Sequence, residues 1–135
     1  MRPPASPTVE AGPGEVAERA AEAVRSLNHL TLVPPATATV GWEDVGDLYR
    51  VLTEVRTLVD RLPQTLGQMA GHLGRSAETY QSDSGTDLDP EAVVVKAAAA
   101  LEAACCFIAD AARHLGVAQG AISHLYEPDP ADRVR

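Results

Sequence analysis

The residues with chemical potential in this 135-residue chain are four histidines, two cysteines and an uneven spread of carboxylates. The histidines are His29, His72, His114 and His124. No two stand four apart, the spacing that puts a pair of metal ligands on one helical face. Asp110 and His114 do have that spacing, which suits a surface hydrogen bond. Cys105 and Cys106 are neighbours. On a helix they point about 100° apart, so a disulfide between them is not expected. With no CxxC pattern for zinc, they read as small packing thiols of a reducing compartment. Between Ser76 and Glu91 lie Glu78, Asp83, Asp87, Asp89 and Glu91, with no Lys or Arg. This reads as a solvated loop, because the acids lack the ligand order and central Gly of a calcium loop. No serine sits in a Gly-rich nucleophile turn, and Gly67, Gly71 and Gly74 lack the Lys and Ser/Thr of a phosphate loop. No catalytic residue, cofactor or metal site is expected, and the chain does not read as an enzyme.

One local pattern points to nucleic acid. Ala112, Gly116 and Ile122 have helix-turn-helix spacing, and Ala111, Leu115, Val117 and Leu125 occupy its apolar positions. The string from Ala111 to Ser123, within residues 108–126, resembles bacterial repressor motifs. The resemblance implies a recognition helix starting near Ala118, with Gln119, Ser123 and His124 facing the DNA groove. That helix has no Lys or Arg, whereas phosphate contacts supply most DNA affinity. The chain as a whole carries a formal charge of −8, which works against binding nucleic acid or anionic membranes.

The elements that position these residues are helices. Hydrophobic content is 45% and aromatic content 4%, which suits close-packed Ala, Val and Leu helices. From Val45 to Leu73 the apolar positions (Val45, Leu48, Leu52, Val55, Val59, Leu62, Leu66, Met69, Leu73) step by three and four without a miss, an a/d seam. Pro63 lies inside it and predicts a kink rather than a stop. The later glycines suggest close approach of a neighbouring backbone. A second seam runs from Val94 through Ala97, Leu101, Ala104, Ile108, Ala111, Leu115, Ala118 and Ile122 to Leu125, passing Gly116 in phase. Asp89-Pro90-Glu91 is a strong start for it. Val16, Ala20, Ala23, Leu27 and Leu30 mark a shorter first helix.

The expected architecture is all-α. It is a long antiparallel hairpin, kinked at Pro63, with a shorter N-terminal helix packed on it. Helices are placed at about 15–30, 41–75 and 90–126, forming one domain over 14–126. Val40 and Val45 would staple a Gly41 cap. The proline-rich segment 1–13 and the tail 127–135 are expected to be disordered. The seams place Leu52, Leu62, Leu101 and Ile108 deep in the core. Val93, Ala100 and Phe107 form a second stripe beside the seam, and Tyr49, Val51 and Leu58 add further apolar positions. Three helices would not cover them all, so a homodimer forming a larger bundle is expected.

The strings AEAVRSLNHLTL, DVGDLYRVL and RLPQTLGQMAGHL, with the Ala-rich helix ending in SHL, cover roughly residues 20–125. They resemble a group of small uncharacterised helical proteins of high-GC, actinobacterial-type bacteria. The resemblance implies that the two long segments form one module, and it implies no site residues. The start of the sequence does not read as a signal peptide. The most apolar window, Ala92 to Ala109, is interrupted by Lys96 and Glu102 and is not read as a membrane span. The expectation is a cytoplasmic interaction protein whose partner is another protein or itself.

Overall fold

A computed structural model of the protein describes residues 10–32, 44–81, 88–129 and 131–132, and their regular structure is entirely helical. The chain divides into two units, Met1–Glu43 and Asp44–Arg135.

The first unit contains α1, Pro13–Leu30. It starts two residues earlier than expected. Gly12 is the N-cap and Pro13 takes the first helical position, where the missing N–H costs nothing and the fixed φ suits the helix. Pro13 therefore opens the helix rather than closing an unstructured leader. Glu15 lies in the first turn, favourably placed on the helix dipole. At the other end the Thr31 N–H and hydroxyl both donate to the Leu27 carbonyl, each at 2.9 Å.

The second unit is an antiparallel hairpin of α2, Val45–Arg75, and α3, Pro90–Ile122. A 3₁₀ turn over Ala77–Thr79 packs against both helices at the closed end. Residues 82–87 of the acidic stretch lie outside the described residues, as do Val40 and Gly41. The expected start of α2 near 41 is corrected. Asp44 is extended, and its Oδ1 accepts from the Asp47 N–H at 2.8 Å. A carboxylate there satisfies an N–H that would otherwise be unpaired, a contribution of about 1 kcal/mol relative to alanine at the cap. The helix continues through Pro63. The glycines after it do not serve close backbone approach, since a Cβ at Gly67 or Gly74 would meet nothing within 4 Å.

For α3 the Asp89 cap is as expected, its side chain accepting from the Glu91 N–H. The helix then runs without interruption past Gly116. It ends at Ile122, short of the expected 126. The ladder switches to bonds three residues back, from the His124 N–H to Ala121 and the Leu125 N–H to Ile122. Ser123 also turns its hydroxyl onto the Gly120 carbonyl at 2.6 Å.

The core is thin. Among the described residues, only Ala70, Val94 and Ala112 are buried. Leu52, Leu101 and Ile108 are half-buried and Leu62 is 37% exposed, which corrects the expectation of deep burial. The reason is geometric. Between two helices only small side chains fit wholly beneath the line of contact, and longer ones reach past it into water.

Candidate interaction surface

Two flanks of the hairpin, one on each side of the seam, differ in chemistry. Interhelical contacts fix which flank of α2 adjoins which flank of α3. Arg56 Nη1 donates to Gln119 Oε1 at 2.8 Å, and Gln119 Nε2 donates to Thr53 Oγ1 at 2.8 Å. The Thr53 hydroxyl in turn donates to the Tyr49 carbonyl at 2.8 Å. The Arg56 guanidinium lies over Gly116, where an added Cβ would be 3.2 Å from Cζ. Further along, Cys105 Sγ lies 3.5 Å from the Pro63 carbonyl oxygen and donates to it. The interhelical contacts on this flank are mostly polar, although Val95 and Val117 stand exposed toward the Gly116 side of α3. Every donor and acceptor of the Gln119 amide group that faces α2 is used, and Asp60 stands 3.8 Å from Arg56 Nε in a partly exposed ion pair. Arg56 Nε is shielded from water without a hydrogen-bond partner, so Asp60 compensates it only through space.

The opposite flank follows from helical geometry. Residues turn by about 100° per step, so Leu58, Leu62 and Met69 lie on the side of α2 away from Arg56. On α3, Val93, Ala100 and Phe107, continued by Ala111 and Ala118, lie on the side away from Gly116. Because the helices are antiparallel and the polar flanks adjoin, these two sets adjoin as well. The flank is apolar and open: Leu58 is 41% exposed, Met69 49%, Val93 43% and Phe107 77%. The stripe Val93–Ala100–Phe107 was legible from its sevenfold spacing. Its continuity with Leu58, Leu62 and Met69 was not, because that depends on how the two helices are rotated against each other.

The residues expected to face DNA do not share an outward helical face. Residues 108–126 contain no turn at Gly116, so the repressor-like geometry is not adopted. Gln119 is directed at α2, Ser123 terminates α3, and exposed His124 lies beyond it. The glycine that suggested a turn is instead the seat of Arg56. Among the histidines, His29, His72 and His114 are also exposed. Asp110 pairs with Arg113 rather than His114. That guanidinium, by hydrogen bond and charge, lowers the Asp110 carboxyl below its ordinary value. Among the described residues no three His, Cys, Asp or Glu side chains come together as a metal site. Cys105 and Cys106 are free thiols.

At the open end of the hairpin Val45, Gly46, Tyr49, Ile122, Ser123 and Leu125 line a hollow of about 230 Å³. Ligand pockets usually enclose about 300–1,000 Å³, so this one is small, and its lining offers few polar groups. Among the described residues α3 alone is long and apolar enough to cross a membrane by length and composition. Its hairpin partner α2 carries Asp47, Arg50, Glu54, Arg56, Asp60 and Arg61 along the same length.

These features define an all-helical protein whose hairpin, among the described residues, leaves the flank around Phe107 apolar and open. No protein-family model, no curated protein and no solved structure matches the chain.

Proposed function

We propose that this protein is a non-enzymatic helical-bundle module of the cytoplasm that acts through protein–protein surfaces. The observation that carries the reading is the apolar flank of the hairpin, with Phe107 at its centre and 77% exposed. Contiguous apolar surface of this kind costs free energy in water and marks a site that another protein covers. Two further features support it. The described ionisable side chains are mostly exposed and scattered, and the one interhelical polar cluster is consumed in joining α2 to α3. A DNA-binding role through residues 108–126 draws no support from a helix that passes straight through Gly116 and spends Gln119 on Arg56 and Thr53.

The test is a photo-crosslinking amino acid at position 107 of the full chain, expressed in its own cells. The expected result is a discrete protein adduct, absent when the same group is placed at Glu54, Arg61 or Gln64 on the outer side of α2. No adduct at 107, or equal adducts at all four positions, would sink the reading.

A further inference from the structure

We infer that the apolar flank is an interface between two copies of this chain, related by a two-fold axis parallel to the hairpin, giving an antiparallel four-helix bundle. The inference rests on the proposed interaction role and names its partner.

The apolar area supplies about three-quarters of one side of a standard interface, and the polar rim has to supply the rest. With about 150–250 Å² for each fully exposed large side chain, the exposed parts of Leu58, Leu62, Met69, Val93 and Phe107 and the adjoining alanines come to on the order of 600 Å². A monomer's largest apolar patch covers about 300–600 Å², and a stable complex takes roughly 800 Å² from each partner.

The shape is self-complementary. On the α2 side the flank is a column of large side chains, Leu58, Leu62 and Met69. On the α3 side it is mostly small: Ala100, Ala111 and Ala118. A two-fold axis along the hairpin sets α2 of one copy against α3 of the other at the same height. Large residues then meet small ones at both places, as an isologous interface requires. Every neighbouring pair of helices in the bundle is antiparallel. Val93 and Phe107 are the large residues in this otherwise small column. The contacts of Thr53 with Gln119 and of Pro63 with Cys105 set the register of the hairpin, and they put Phe107 level with Leu62. In the dimer Phe107 therefore packs against Leu62 of the second copy, the one place where a large residue of α2 meets a large residue of α3. A two-fold axis across the hairpin would instead set large column on large column and leave the alanines facing one another.

The full-length chain, purified, is examined by sedimentation equilibrium over the micromolar range. The expected species is a dimer, and Phe107→Ala weakens it at least tenfold. Phe107 stands mostly in water in the single hairpin, so this variant keeps its helical circular dichroism. The axis is tested by mixing two chains, each with Cys105→Ser and Cys106→Ser, one carrying Leu62→Cys and the other Phe107→Cys. Mild oxidation should give the mixed disulfide-linked pair in excess over either like pair. Excess of the like pairs, or a dimer that forms no such link and ignores Phe107→Ala, overturns the proposed interface. A strict monomer at tens of micromolar overturns it too, including one that instead floats with vesicles of phosphatidylcholine and phosphatidylglycerol. A monomer that still gives the position-107 adduct with a different protein in cells overturns the second copy alone and leaves the interaction role standing.

Discussion

The two flanks of the α2–α3 hairpin are built from the same pair of helices at the same heights, yet they solve different problems. On one, Arg56, Gln119 and Thr53 form a chain of hydrogen bonds that closes on the Tyr49 carbonyl. Those partners are directional, so this flank sets how α2 and α3 are aligned along their lengths. On the other, Leu58, Leu62, Met69 and Phe107 offer area without direction. Hydrophobic surface stabilises in proportion to the area covered and is indifferent to small slips in register. A hairpin of a leucine- and valine-bearing α2 and an alanine-rich α3, with three buried residues among those described, has little core to spare. Its register is therefore set by polar groups, and its apolar area is left open in the single hairpin.

Substitutions on the apolar flank carry the greatest consequence. Leu62→Ala is expected to cost about 2–5 kcal/mol if the flank is covered, as for a buried leucine. The melting temperature of the native chain should then rise with protein concentration. If the flank stays in water, Leu62, which is only 37% exposed in the single hairpin, should lose a smaller amount, about 1–2 kcal/mol, and melting should not depend on concentration. Thermal melts at two concentrations a hundredfold apart decide between them.

On the polar flank, Gln119→Ala removes one partner from Arg56 and one from Thr53. Chemical denaturation should show a loss of about 1–3 kcal/mol, the range for a hydrogen bond to a charged group and the unsatisfied partner it leaves. No loss would mean that water replaces the amide at no cost and that the cluster does not set the register.

A smaller effect sharpens the role of Gly116. Replacing a mid-helix glycine by alanine normally stabilises by about 1 kcal/mol. Gly67→Ala, where a Cβ meets open space, should show that gain. Gly116→Ala should show little or none of it, because the new methyl meets the Arg56 guanidinium at 3.2 Å and displaces it. Equal gains at the two positions would show that Arg56 is not held there.

The smallest effect is electrostatic and lies outside both flanks. Arg113 holds the Asp110 carboxyl below its ordinary value. A lowered folded-state value means that the stabilisation is present above the unfolded carboxylate pKa and is lost as pH falls through the folded one. Asp110→Asn should therefore remove a small stabilisation seen at neutral pH and make no difference in strong acid. The pair is exposed and screened by solvent, so salt should diminish the difference.

Much of the architecture is readable from residue order alone. The unbroken three-and-four spacing over Val45–Leu73 and over Val94–Ile122 predicts two long helices. Asp89-Pro90-Glu91 locates the start of α3 because its cap is made by its own residues. In-phase apolar positions on both sides of Gly116 predict that the helix does not turn there. All of these depend on interactions within a few residues. What the spacing cannot supply is rotation and register. A seam shows that a stripe is apolar without showing how far a single neighbouring helix covers it, so Leu62 read as core and is exposed. The start of α2 at Val45 rather than near Gly41 turned on one carboxylate, that of Asp44, reaching the Asp47 N–H. Gln119 and Gly116, which in the sequence belong to a repressor-like string, acquire their roles only when Arg56, sixty-three residues from Gln119 along the chain, is brought beside them. Those roles come from partners distant in sequence, and only the packing of α2 on α3 chooses which distant residues meet.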